Sequence, residues 1–210
     1  MLTHVFNTEN CMSEGVPLDK LRQALEKIFP GEDTSSLARI LLTASSKDKI
    51  SYEEIISMGS SVEDLLFAFN ERLLIPTRTS DSSRSIAWED RVLIPRKGEE
   101  FEMPNVVRYL VIHAERTGKW DPEYAVRRYF EDMGDPEGDK IVRLFAELRI
   151  RARANRITPE DLKEISNRLK LNLDVDATIA KLKGAGIISP CLHTFIRHGI
   201  RYELNPSLCK

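Results

Sequence analysis

Four side chains near the C-terminus have the types and spacing that can ligate a metal. Cys191, His193, His198 and Cys209 form a C-x-H-x4-H-x10-C series. Structural zinc sites are built on a close Cys-x2-Cys pair, which is missing here. Polar loop residues followed by a tail cysteine are the expected reading. Asp132, Asp135, Glu137 and Asp139 cluster as cation ligands do, without the spacing or closing glutamate of an EF-hand. The three cysteines, Cys11, Cys191 and Cys209, are too few and too scattered for a disulfide framework. His4 and His113 stand alone. No phosphate-binding loop, dinucleotide fingerprint, H-E-x-x-H or nucleophile elbow occurs. The expectation is a non-enzyme with no catalytic residue, no metal and no cofactor.

The remaining chemistry is charge. The chain carries 31 Lys and Arg against 33 Asp and Glu, a net charge of −2. Residues 1–139 hold 17 basic against 26 acidic side chains, and residues 140–210 hold 14 against 7. Such asymmetry suggests that the C-terminal end meets a polyanion. Arg143, Arg149, Arg151, Arg153 and Arg156 fall on or just after one predicted helix. Lys163, Arg168 and Lys170 fall on the next, with Arg197 and Arg201 in a predicted hairpin. A patch of this kind can neutralise phosphates. The competing expectation is a solvated, salt-bridged surface, or a complement to the acidic N-terminal part.

The elements that position these side chains follow from periodicity. Ile141, Leu144, Phe145, Leu148 and Ala152 recur at helical spacing and form one apolar stripe. Arg156 and Ile157 make a short extended link. Thr158, Pro159, Glu160 and Asp161 supply an N-cap, a proline at the first helical position and acidic residues at the positive end of the helix dipole. That helix turns Leu162, Ile165 and Leu169 inward. Asp174 caps a third helix with Val175, Ile179 and Leu182 buried, ended by Gly184 and Gly186. Strand-like residues follow, with a turn at His198 and Gly199.

An earlier stretch repeats this order. Residues 37–42 (LARILL) match 141–146 (IVRLFA), residues 49–55 (KISYEEI) match 156–162 (RITPEDL), and residues 62–66 match 175–179. Leu74 and Ile75 fall over Ile187 and Ile188, and residues 86–89 over 200–203, which sets Trp88 opposite Tyr202. Upstream of each copy lies a further helix, from Leu18 to Phe29 and from Asp121 to Met133. Another, from Pro104 to Thr117, lies between the copies behind a candidate hinge at residues 95–100.

Three helices and a hairpin resemble the winged helix-turn-helix superfamily, most sharply in residues 182–189 (LKGAGIIS) followed by 199–205 (GIRYELN). The resemblance implies a mainly α chain with small β-hairpins, of the α+β class, holding two tandem winged-helix-like domains. The expected divisions are an acidic N-terminal domain over 1–100, a linker helix over 101–120 and a basic C-terminal domain over 121–210. DNA-reading members lay the third helix in the major groove and the wing on the backbone.

Tested against that geometry, the third helix of the first copy is a poor reader. With Val62, Leu65, Leu66 and Phe69 inward, it shows Glu63, Asp64, Ala68 and Glu71 outward, and Phe67 becomes a candidate protein contact unless it tucks under a neighbouring helix. The third helix of the second copy shows Ala177, Ala180, Lys181 and Gly184, without the Arg, Asn or Gln that read bases. The expected function is therefore a DNA-associated protein, a transcriptional regulator. It would hold double-stranded DNA through phosphate contacts of Arg149, Arg151, Arg153 and Arg197, with Lys181 nearest the groove. The rival is a non-catalytic tandem winged-helix scaffold using Phe67, Ala177 and Ala180 against a protein partner or a second copy. Some assembly and chromosome-condensation factors resemble that arrangement. No membrane-spanning run and no signal-peptide layout occur, so a cytoplasmic location is expected.

Overall fold

The computed structural model describes residues 15–79, 87–192 and 199–210. The chain is mainly helical with two small antiparallel three-stranded sheets, an α+β architecture. The first run of elements is α1 (Gly15–Ile28), α2 (Thr34–Ser45), β1 (Lys49–Ser51), α3 (Tyr52–Ser57), α4 (Val62–Asn70), β2 (Ile75–Pro76) and β3 (Glu100–Glu102). After α5 (Asn105–Thr117) comes α6 (Pro122–Asp132), α7 (Gly138–Arg151), β4 (Arg156–Ile157), α8 (Pro159–Arg168), α9 (Val175–Gly184), β5 (Ile188–Pro190) and β6 (Tyr202–Leu204). The two runs have the same order, and their sheets the same strand order, β1-β3-β2 and β4-β6-β5.

Local chemistry repeats too. Ser51 and Glu54 form a reciprocal capping box at the start of α3, and Thr158 and Asp161 form one at the start of α8. Ser61 caps α4 and Asp174 caps α9, each by accepting a backbone N–H of the first turn. The closing strand corrects the sequence alignment. Tyr202 pairs with Ile157 and Pro190, and its counterpart, paired with Ile50 and Pro76, is Phe101. Trp88 instead lies in a short 3₁₀ turn, Trp88–Asp90. The excursion between the last two strands covers residues 77–99 in the first run and only 191–201 in the second, so apolar residues within it mimic a strand.

Residues 95–100 do not form a free hinge. Glu99 is buried and receives both Arg78 and Arg96, at 2.8 and 3.2 Å. The Gly98 N–H donates to the Glu53 carboxylate at 3.0 Å. Strand β3 then crosses position 100, so the first sheet extends past the expected boundary, and α5 is no mere connector. It packs on α1, α2 and α6 and buries Val107, Leu110, Val111 and Ala114 completely. A single hydrophobic cluster runs from Leu21 and Leu25 through α5 to Phe145, Leu148, Leu162 and Leu182.

Polar contacts also join the two runs. Arg72 pairs with Glu203 at 3.1 Å, and Asn205 Nδ2 donates to the Arg72 carbonyl at 3.2 Å. The Ser207 N–H donates to the Glu71 carbonyl at 3.2 Å. The Trp88 N–H donates to Ser189 Oγ at 2.8 Å in a buried setting.

Phe67 is corrected as an outward contact. Its half-buried ring stands edge-on to Phe29 with centroids 5.0 Å apart, so it tucks under α1. The fully buried residues of α4 are Leu65 and Ala68, so the helix is rotated from the expected face: Ala68, expected outside, is in the core, and Leu66, expected inside, is 44% exposed.

Candidate nucleic-acid interface

The C-terminal arginines are gathered by a tight turn. After α7 the chain reverses through Ala154 and Asn155, whose φ angles are +51° and +55°. Two successive left-handed residues match the right-handed twist of the flanking segments, as in a two-residue hairpin. Arg153 and Arg156 stand opposite each other across an antiparallel bridge, with the Arg156 N–H donating to the Arg153 carbonyl at 3.1 Å. The Leu204 N–H donates to the Asn155 carbonyl at 2.7 Å and anchors the turn to β6.

Around this turn lies a groove of about 890 Å³, walled by Arg151, Arg153, Arg156, Arg168 and Arg201 against the carboxylates Glu147 and Asp161. Ile150, Ala152 and Ile157 add apolar lining. Arg151 bridges α7 to α8 through Asp161 at 2.8 Å and Glu164 at 2.5 Å, and Arg168 ties back to Glu147. Arg153, Arg156 and Arg201 have no ion-pair partner among the described residues, and the buried Arg201 Nε has no hydrogen-bond acceptor. Hydrogen bonds from Arg151 hold the Glu164 carboxyl below its ordinary range, so both sides of that pair stay charged at neutral pH.

Of the residues expected to contact phosphate, Arg151 and Arg153 line this groove. Arg149 turns elsewhere. It reaches Glu123 at 3.5 Å, donates to the Lys210 carbonyl at 2.8 Å and lies over the Phe145 ring. Lys181 is held between Asp135 at 2.9 Å and Glu137 at 2.8 Å, which ties α9 to the segment before α7. With two carboxylates already around it, Lys181 presents no surplus charge to a groove. Arg197 lies outside the described residues.

Arg156, Arg168 and Arg201 join the site although the sequence reading had placed them only in a general patch. Their convergence depends on the left-handed turn and on the crossing of α7 with α8, neither of which has a strong sequence signal. Ala177 and Ala180 are exposed on α9 as expected, beside the exposed carboxylates Asp174 and Asp176.

The other constellations resolve into structural roles. Asp132 pairs with Arg128 at 2.7 Å and Asp139 with Arg127 at 2.5 Å, while Asp135 and Glu137 hold Lys181. Among the described residues no group of His, Cys, Asp and Glu is arranged to hold a metal ion. Cys191 and Cys209 are not joined in a disulfide, and burial pushes both thiols above their ordinary pKa. His193 and His198 lie outside the described residues. His113 packs on Tyr124 with ring centroids 3.9 Å apart, and burial holds its pKa below the ordinary value. Among the described residues no helix is long and apolar enough to cross a membrane.

No curated protein and no solved structure matches the chain. A protein-family model matches residues 19–210, a stretch that takes in both runs of elements and the whole arginine groove. The chain therefore belongs to the family that this model defines.

Proposed function

We propose that the chain is a tandem winged-helix protein that associates with double-stranded DNA through its phosphates, in a regulatory role that does not rest on base readout by α9. The observation that carries this reading is the convergence of Arg151, Arg153, Arg156, Arg168 and Arg201 on one groove, three of them without an ion-pair partner among the described residues. Phosphate neutralisation releases condensed counterions and supplies most non-specific affinity. A duplex fits better than a single strand, because among the described residues no aromatic side chain lines the groove to stack on unpaired bases. On α9, Asp174 and Asp176 would meet phosphates with like charge, which disfavours insertion of its first turn into a major groove.

Fluorescence anisotropy of the full chain with short labelled duplexes of unrelated sequence tests the proposal. Similar affinities of about 10⁻⁴–10⁻⁶ M are expected for each, falling log-linearly with salt. Arg153→Ala and Arg156→Ala should each lower the salt slope by about one unit, equally for every sequence. Absence of binding at low salt would overturn the reading.

A second reading, a protein-interaction scaffold, is favoured by Ile150, which is 82% exposed at the rim of the same groove. Under it, Ile150→Ser would change oligomeric state by light scattering and leave duplex affinity, if any, unaltered.

A further inference from the structure

The cleft between the two runs of elements, which shares no lining residue with the arginine groove, has the features of a small-molecule site. Its volume is about 510 Å³, within the usual range for such sites. Part of the wall is apolar: Ile75 and Trp88 on one side, Met103 and Pro104 at the entry to α5, Ile188 and Pro190 on β5. Apart from Lys183, α9 brings only small residues to the cleft, which leaves it open. Ala180 is exposed, and a Cβ added at Gly184 would meet nothing within 4 Å. Close by, the backbone is tightly fitted, since a Cβ at Gly186 would lie 2.6 Å from Pro104 Cβ. The opening is thus bounded by rigid contacts, including the Val106 N–H to the Ala185 carbonyl at 2.9 Å and Asn105 Nδ2 to the Gly184 carbonyl at 3.1 Å.

The polar groups lining the cleft favour an anion. Glu102 is already faced by Arg91 at 3.7 Å, and Arg91 also donates to the Thr77 carbonyl at 2.9 Å. Lys183, on the rim, has no ion-pair partner among the described residues. The lining therefore offers one unanswered positive charge beside an apolar chamber with an indole in its wall.

We propose that this cleft binds a small apolar or aromatic carboxylate, with its hydrocarbon against Trp88, Ile188 and Met103 and its carboxylate on Lys183. Such a ligand would touch both β5 and the first run at Ile75 and Trp88, so its binding would be felt by both. The proposal does not depend on the DNA reading.

Two-dimensional amide NMR of the full chain, titrated with naphthoate and separately with naphthamide, tests it. Saturable shifts from naphthoate are expected at the Trp88 indole and at the amides of Ile75, Gly184, Gly186 and Ile188. Naphthamide should bind about fivefold more weakly, the worth of a surface ion pair. Lys183→Gln should remove that preference and leave naphthamide binding unchanged. Gly184→Leu fills the open space at a site with an ordinary backbone conformation, and should abolish both sets of shifts with the thermal midpoint retained. Ala180→Leu serves the same purpose should Gly184→Leu fail to fold. Shifts scattered over the surface, no saturation in the millimolar range, equal affinity for acid and amide, or shifts that survive the filled cleft would each overturn the proposal.

Discussion

Lys181 shows how a residue's role is set by what faces it. From the sequence it is the cation in the middle of a small-residue helix face. In the fold, Asp135 and Glu137 enclose it, with 28% of its side chain exposed. Burial pushes the Asp135 carboxyl up, but the hydrogen bonds from Lys181 and from the Glu137 N–H outweigh this and hold it below its ordinary 3.8. A carboxyl depressed in the folded chain stabilises it above the unfolded-state pKa, and that contribution fades as pH falls through the folded value. Lys181→Met should therefore cost about 1–2 kcal/mol at neutral pH. In urea titrations the gap between variant and parent should narrow below about pH 4. A gap independent of pH would mean that the pair contributes nothing. Because its charge is already answered, the same variant should leave duplex affinity unchanged, unlike Arg153→Ala.

At the scale of elements, periodicity and capping carried most of the information. The caps at Thr158 and Asp174 and the stripe on α7 are local, and the structure shows each where the sequence placed it. Leu148 and Leu182 are fully buried, so alanine at either should cost about 2–5 kcal/mol by chemical denaturation. A loss under about 1 kcal/mol at both would mean these faces are not in the core.

Gly186 is a sharper test of how α9 meets α5. With φ at +74° and the Pro104 ring so close to the added Cβ, Gly186→Ala should destabilise by about 2 kcal/mol or more. Gly184→Ala, with open space, should be neutral or slightly stabilising. Equal effects at the two glycines would contradict this packing. The face of α4 was misjudged because Val62, Leu65, Leu66, Phe67 and Phe69 are apolar nearly all round, so the hydrophobic pattern did not fix a rotation. Phe29 and the core residues around Leu65 did.

For the whole molecule, the expectation of two separable domains meets a shared core. A fragment of residues 101–210 would begin inside β3, strip α1 and α2 from α5, and lose the Arg72–Glu203 and Glu71–Lys210 pairs. It should lack a cooperative unfolding transition and bind hydrophobic dyes, whereas the full chain should unfold in one step. A sigmoidal transition in the isolated fragment would show that the C-terminal run is an independent unit.

What the sequence by itself determined was the inventory of helices, the repeated order of elements and the excess of positive charge after residue 139. These are local or additive properties, legible wherever a pattern recurs within one element. What only the tertiary structure decided was which charges remain available. Arg149 and Lys181 are met by carboxylates or carbonyls from distant segments, while Arg156, Arg168 and Arg201 converge with Arg151 and Arg153 through one left-handed turn and one helix crossing. Nothing in the order of residues states that Asp135 will face Lys181 or that Phe101 will stand where Trp88 was expected. Those pairings arise when α5 is packed on both runs at once, and strand register and side-chain partners are then chosen by the burial of Phe101, Phe145 and Leu182.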